Sequence, residues 1–516
     1  MSTGQSSIYS QAFNFGSFLE SGVDPRTGLY TFSVDLYETP SHSRDLPSFK
    51  LSLFYNPLNT VDSGLGTGWA FHLPFYDPDT KTLVLSTGES FKATEINDRF
   101  IVVDQKLQSF QATKLGSEYH VVYKTGQTEV LSNGNGLYNR SVPITVYASN
   151  GRAIALTWTP SGSEPRLSKI QDGAEVLVEV QYGDGQVRVV RQPGTPDENV
   201  FTLVQKNGQL AQVQSPGENM SPWEFSYKKV DSRWLLLTQL TTPLGSVESV
   251  YYRPDGHRLP NGAPYETIPY VTSHELQPDH QQPAIRTSYT YSAKNFLGYD
   301  GGRDWTPDGD NLYQVPAGYQ YTSTARVEDG ATTVNDYDNF HLLVRTERQQ
   351  EVQKTTRATA YHAIPYIEFS GQPPQCQLPS VVEIAYSNTQ SRSERRETTR
   401  TSFDEWGNLT QEIQPNQVIV KRTYYPPEGE RPDCPADPHG FQRYLKEETV
   451  VPAGTEQGAT VRTERYTYHE LPTARGALVD IYVVAKQQVT LEGDRVLSTV
   501  DLTDVDAPTP KDHGRF

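Results

Sequence analysis

Four carboxylates crowd one glycine-bearing stretch, residues 299–311 (YDGGRDWTPDGDN): Asp300, Asp304, Asp308 and Asp310. Oxygen ligands on a flexible loop are what a calcium ion needs. The spacing lacks the Gly and terminal Glu positions of an EF-hand, so the stretch reads as a hydrogen-bonded turn. His257, His274 and His280 share one neighbourhood, and His439 follows Cys434. Zinc takes four ligands in paired short spacings. Cys434 and His439 make one such pair and Cys376 is unaccompanied, so these histidines read as solvated or hydrogen-bonded loop residues. Both cysteines lie close to Pro and read as free thiols of a reducing compartment rather than a disulfide framework. Gly-x-Ser-x-Gly and phosphate-cradling glycine loops are missing from the sequence. Its 62 Asp and Glu could include a glycosidase pair that only folding would bring together. The expectation is a chain without catalytic residues, cofactor or metal.

The elements that would position any such groups are strands. Residues 398–425 (TTRTSFDEWGNLTQEIQPNQVIVKRTYY) hold three strand-like runs and two turns. Residues 398–403 are rich in β-formers, DEWGN at 404–408 supplies a reversal, and 409–414 continues as a second strand. Residues 414–417 (QPNQ) turn again, and 418–425 alternates with period 2. The unit is an antiparallel meander. Looser relatives of its first turn place an aromatic residue about four positions before Gly: Tyr147 to Gly151, Tyr182 to Gly185 and Tyr252 to Gly256. In each, Gly is expected to take the positive φ of a turn. Tyr337-Asp338 opens the same pattern, with His where Gly would be.

Residues 403–409, Phe403-Asp404-Glu405-Trp406-Gly407-Asn408-Leu409, resemble the Tyr-Asp-x-x-Gly-Asn-Leu repeat of the Rhs/YD-repeat proteins, with Phe replacing Tyr. Asp24-Pro25-Arg26-Thr27-Gly28, Tyr55-Asn56-Pro57-Leu58, Gly64 to Gly68-Trp69 and residues 85–90 (LSTGES) are similar to the opening of long bacterial Rhs proteins. Residues 295–299 (NFLGY) and 434–438 (CPADP) resemble later segments. The resemblance covers most of the chain. It implies a repeat sheet that wraps into a hollow β-shell around a C-terminal toxin, delivered by type VI secretion or within an insecticidal toxin complex. In that family a DPxGxxxxP-type motif precedes a self-cleavage point. No such motif is present here, so the resemblance implies shell sequence without the protease end or the toxin.

The totals agree with many short strands. The 516 residues are only 35% hydrophobic, with 31 Tyr, 38 Gly and 36 Pro. Amphipathic Tyr rings can cover sheet faces while keeping the hydroxyl wet. A formal charge of −17 argues against nucleic-acid binding. The polar N-terminus lacks a signal peptide, and no stretch approaches the ~20 apolar residues of a membrane span. Localisation is therefore expected in the cytoplasm of the producing cell, followed by secretion without a signal peptide.

The chain divides into a flexible lead-in (1–15), an N-terminal β region (16–130), a repeat-like meander (131–260), a β region with long polar loops (261–345), a second meander (346–503) and a mobile tail (504–516). Residues 259–284 are expected to leave the sheet, and 479–491 to form a strand. About 300 strand residues at ~3.3 Å rise and ~4.8 Å spacing make roughly 5,000 Å² of sheet. A shell of about 25 Å radius, enough to clear a toxin domain, needs about 8,000 Å². The expected fold is all-β: an extended antiparallel YD-repeat sheet curling into an open or partial β-shell. Its partners would be the toxin cargo or the remainder of the shell, and a component of a secretion machine. The alternative function is extracellular glycan or cell-surface recognition through exposed Tyr and Trp rows.

Overall fold

A computed structural model describes residues 8–40, 46–97, 99–217, 219–231, 233–279, 281–454, 460–472, 482–492 and 495–500. Strands dominate, and the only helices among these residues are turns of three or four residues. Tyr30–Glu38, Lys50–Tyr55 and Trp69–Phe71 form a small antiparallel sheet with Gly22–Val23 at its edge. Phe75–Asp77, Thr82–Val84, Ser90–Ile96 and Arg99–Val102 form a second.

From Phe110–Leu115 onwards each strand pairs antiparallel with the next in sequence, in one sheet that ends at Arg495–Thr499. Among the described residues no ladder joins the first of these strands to the last, so the sheet is open. Neighbour-to-neighbour pairing needs only tight turns, which the Gly, Asn and Asp residues supply.

The 398–425 unit folds as read, into Ser393–Phe403, Leu409–Ile413 and Ile419–Tyr424. The region boundaries at 130, 260 and 345 leave no mark, because the long sheet begins at Phe110 and crosses all three. Residues 259–284 are corrected as well. Thr267–Gln277 is a full member of the sheet, paired with Val247–Arg258 and Ile285–Tyr291. Its Ile268 and Val271 are completely buried, and that burial outweighs the Pro and His content that suggested a loop.

Residues 8–15 are not a flexible lead-in: Ile8, Ser10, Gln11 and Ala12 are buried, and Ser10 caps the short helix Gln11–Asn14. Residues 1–7 and the tail lie outside the described residues. So does the start of the expected 479–491 strand, of which Tyr482–Leu491 is seen.

The small sheet lies on one face of the long sheet and supplies one side of its main core. Phe32, Tyr55 and Trp69 pack against Phe225, Leu237 and Leu240. Their polar tips are satisfied across the interface: the Tyr55 hydroxyl donates to Leu235 O (2.7 Å) and accepts from Leu237 N (2.8 Å), and Trp69 Nε1 donates to the Tyr227 hydroxyl (2.7 Å). Farther along, no second sheet covers this one among the described residues. Pro379–Asn388, Leu409–Ile413 and Leu445–Val451 contain no fully buried residue. Cross-strand ion pairs stud this part, including Arg422 to Glu448 (2.7 Å), Arg396 to Glu383 (2.7 Å) and Lys354 to Glu347 (2.8 Å). The low hydrophobic fraction thus has a structural origin: one half of the long sheet is two layers thick, and among the described residues the other carries only smaller buried clusters, around Tyr468 and around Phe369.

Candidate functional site: rim turns and the seam across them

Three reversals share one construction. Asp404 Oδ1 accepts from the backbone N–H of Trp406 (3.0 Å) and Asn408 (2.8 Å), and Gly407 closes the turn at φ 75°. Asp338 does the same with Phe340 (2.8 Å) and Leu342 (2.9 Å). His341, standing in the Gly position, is held at φ 61°. Asp437 receives His439 (2.9 Å) and Phe441 (3.0 Å), with Gly440 at φ 75°. Each carboxylate thereby occupies two backbone donors that a tight turn would otherwise leave unpaired. The Tyr337-Asp338 pattern is a full repeat turn despite its His. The Asp437 turn has the Asp-x-x-Gly spacing of the Asp404 turn but Ala436 where the other two carry an aromatic residue.

The other expected turns divide. Gly151 (φ 82°) and Gly185 (φ 73°) do close the reversals after Tyr147 and Tyr182, without an Asp-centred box. Tyr252 to Gly256 is no turn: it lies inside the strand Val247–Arg258, at a register shift between Arg253 and His257. Gly256 is used there for closeness, since a Cβ would stand 2.5 Å from Tyr270 Cδ1.

The chain just ahead of and within the first strands of the long sheet runs across these turns. Lys124 Nζ donates to Trp406 O (2.9 Å) and to Asn408 Oδ1 (2.6 Å). Lys106 Nζ donates to Ser370 O (3.1 Å) and Gln372 O (3.2 Å) and sits 4.8 Å over the Phe369 ring. Gln111 Nε2 donates to His439 O (3.2 Å). Arg443 ties the seam from the other side, giving Nη1 to Lys124 O (2.5 Å) and Nε to the buried Asp437 carboxylate (2.6 Å). Burial holds the Lys124 ammonium below the ordinary lysine range, while Asp404 pulls it back up. The open sheet is therefore curled far enough that its beginning touches turns some 300 residues later.

Leu107 fills the hollow over Gly407, where a Cβ would be 3.1 Å from Leu107 Cδ2. Gly407→Ala is expected to cost about 1–2 kcal/mol through left-handed strain and that contact. Gly245→Ala is a control at similar φ (87°) with nothing within 4 Å, and should cost less. Urea unfolding of both variants measures the difference.

A second junction holds the N-terminal motif to the sheet. The Asp24 carboxylate accepts from Thr27 N (2.9 Å), Thr27 Oγ1 (2.5 Å) and Ser17 Oγ (2.6 Å). After Pro25, Arg26 stacks 3.7 Å from the Phe15 ring centroid and 4.9 Å from that of Tyr337, so the two family-like motifs touch. Gly28 (φ 69°) leaves no room for a Cβ against Tyr270 and Tyr291, and its carbonyl accepts from Val271 N (2.8 Å). Asn56 N donates to Gly68 O (2.9 Å), and Asn56 Oδ1 accepts from Leu58 N (2.9 Å), bracing the turn that contains Pro57.

His257 Nε2 lies 3.0 Å from Thr27 O, which can only accept, so that nitrogen carries the proton. Burial pushes the His257 pKa down from 6.5 to about 4. The unfolded chain then binds more protons than the folded one between those values, so stability should fall as pH drops from 6.5 and level off near 4. At pH 5 the loss is expected to be about 2 kcal/mol relative to neutral pH. Urea unfolding at both pH values checks it, and His257→Gln should remove this part of the pH dependence.

The acidic loop is put to structural use. Asp310 is buried: its Oδ2 accepts from Ser10 Oγ (3.1 Å), Gln11 N (2.5 Å) and His341 Nε2 (2.9 Å), and its Oδ1 from Leu312 N (2.8 Å). Asp308 lies 3.9 Å from Lys81, Asp304 Oδ1 accepts from Asn261 Nδ2 (3.3 Å), and Asp300 adopts φ 61°. Among the described residues no three His, Cys, Asp or Glu side chains converge as a metal site. His274 pairs with Glu248 (2.8 Å), and His280 lies outside the described residues. Both cysteines are free and buried in separate clusters, and burial pushes the thiols up, Cys376 to about 11 and Cys434 to about 12.

No family model and no curated protein matches the chain. Among solved structures it is similar to a chain of the Photorhabdus luminescens Tc holotoxin pore, at 9% identity over 89% of this chain and 26% of that one, with a TM-score of 0.31. It is similar to a chain of TcdB2-TccC3, at 10% identity over 95% and 25%, with a TM-score of 0.23. A porin-like protein from Bacteroides uniformis aligns at 14% identity over 66% and 92%, with a TM-score of 0.16. The chain spans about a quarter of the length of the toxin chains it matches. Among the described residues no helix is long and apolar enough to cross a membrane.

Proposed function

We propose that this chain is a non-catalytic wall segment of a toxin-encapsulating β-shell. One observation carries the reading: a single open sheet curls until its first strands reach the turns of its last third, and the contact is made by side chains rather than by a ladder. A wall of this kind encloses space without a solid core. Much of its second half is half-exposed and crossed by ion pairs, which suits a lining that leaves the cargo's own apolar surface unsatisfied. The open edges call for a continuation, and we assign that role to the remainder of the shell together with its toxin cargo. Delivery would follow without a signal peptide, through a secretion machine or a toxin complex.

Electron microscopy of the purified chain, alone and co-expressed with the product of the next downstream reading frame, tests the proposal. The expected result is an open arc that closes into a hollow particle only with the neighbour. A compact, solid particle indifferent to the neighbour would overturn it.

A further inference from the structure

A cavity of about 550 Å³ lies where residues 8–19, the two small sheets and residues 307–308 meet, away from the seam. Its walls are chiefly aromatic and aliphatic, among them Phe13, Phe18, Leu19, Phe54 and Phe71. Lys92 and His72 are among the polar side chains that interrupt them. Lys92 Nζ donates to Thr80 O (2.7 Å) and stands 4.9 Å from the Tyr9 ring centroid, but forms no ion pair among the described residues. His72 touches Phe54 edge-on, and its ring nitrogens find no hydrogen-bond partner among the described residues. At the mouth, Lys81 and Asp308 sit 3.9 Å apart, both largely exposed, beside Asp79.

A lysine on an apolar wall with N–H donors to spare is an incomplete arrangement. Polar groups in such sites are normally paired, and this ammonium, with one hydrogen bond to Thr80 O, a ring contact with Tyr9 and only longer-range attraction to Asp308 and Asp77, has donors left over. Burial accordingly holds Lys92 below the ordinary lysine range and His72 below the ordinary histidine range. We propose that the cavity binds an amphipathic organic acid, an apolar chain or ring system bearing one carboxylate, with Lys92 pairing the carboxylate and the Phe-rich wall taking the apolar body. Of the two lining lysines, Lys81 lies 3.9 Å from Asp308 while Lys92 has no ion pair among the described residues, and one such cation fits a monoanion. A phosphate would bring a second charge beside Asp79 and Asp308, in a protein of net charge −17.

The free acid of a long chain and the C-terminal carboxylate of an apolar peptide share this chemistry. Calorimetry on the full chain with two matched pairs separates them: dodecanoate against dodecanol, and acetyl-Phe-Leu-Phe as acid against its amide. For at least one pair the acid should bind roughly tenfold or more tighter than its neutral partner, as expected of a charge-assisted hydrogen bond. Lys92→Met, which keeps the stem and removes the charge, should erase that ratio while leaving the neutral partner's affinity unchanged. Binding of both members with equal affinity, an acid preference that survives in Lys92→Met, or no binding by either pair would overturn the proposal. The acid-to-neutral ratio in the unsubstituted chain decides the matter even if the variant folds poorly.

Discussion

Replacing Asp310 with alanine should lower the stability of the folded chain by about 3–5 kcal/mol, the largest single-residue effect expected here. Four donors from three parts of the sequence converge on this one carboxylate: Ser10 and Gln11 from the N-terminal segment, Leu312 from its own loop, and His341 from a rim turn. The side chain is almost fully buried and that of His341 entirely so, so water cannot readily replace the lost acceptor. Asp310→Asn keeps the shape and one good acceptor, and should cost about half as much. Urea denaturation gives the magnitudes, and amide exchange locates the damage. Protection should fall first over residues 8–15 and 338–342, the segments that the carboxylate joins. A loss below about 1 kcal/mol would mean that these elements are held by their apolar contacts alone.

The same residue shows where sequence reading reaches its limit. Asp310 shares one loop with three other carboxylates, a composition that raises the chemistry of calcium. Folding instead sends this one inward, towards residues 300 positions away, and leaves Asp304 and Asp308 at the surface. Local spacing cannot distinguish these fates, because the partner that decides them is distant in sequence. The fold was legible for the opposite reason. In a sheet whose strands pair in sequence order, every ladder is specified by a turn a few residues long, and the DEWGN and QPNQ signals at 404–408 and 414–417 lie in plain text. The failures come where burial overrules composition. Thr267–Gln277 carries Pro and His yet is a strand because Ile268 and Val271 fill the core, and Tyr252 to Gly256 looked like a turn but is a bulge under Tyr270.

Of the candidate site, the turns were legible and the seam was not. Asp404, Gly407 and Asn408 announce themselves through a spacing that backbone geometry requires. Lys106, Lys124 and Arg443 carry no such mark, because an ammonium that reaches a distant carbonyl looks in sequence like any solvated cation. The position of Asp437 four residues before Phe441 was available as a signal, and the Gly at 440 would have completed it. What hides it is Ala436 immediately ahead of the Asp, where Phe403 and Tyr337 mark the other two turns.

Lys124→Met combined with Arg443→Met should open the curl without unfolding the sheet. Lys124 loses charge-assisted bonds to Trp406 O and Asn408 Oδ1, and Arg443 loses those to Lys124 O and Asp437. At about 1.5–3 kcal/mol for each hydrogen bond to a charged group, and allowing for non-additivity, the pair should shift local opening by about 3–5 kcal/mol. Far-UV circular dichroism should remain that of the parent, because no ladder is touched. Small-angle scattering should show a larger radius of gyration, and amide protection should fall across residues 104–126. The two substitutions should also be coupled: Arg443 grips the backbone of the residue whose side chain grips the DEWGN turn, so once either is gone the other has less to hold. The second substitution should then cost at least 1 kcal/mol less than it does alone. Strict additivity with an unchanged radius would mean that the curl is built into the twist of the strands, and that the side-chain seam merely records where the sheet already lies.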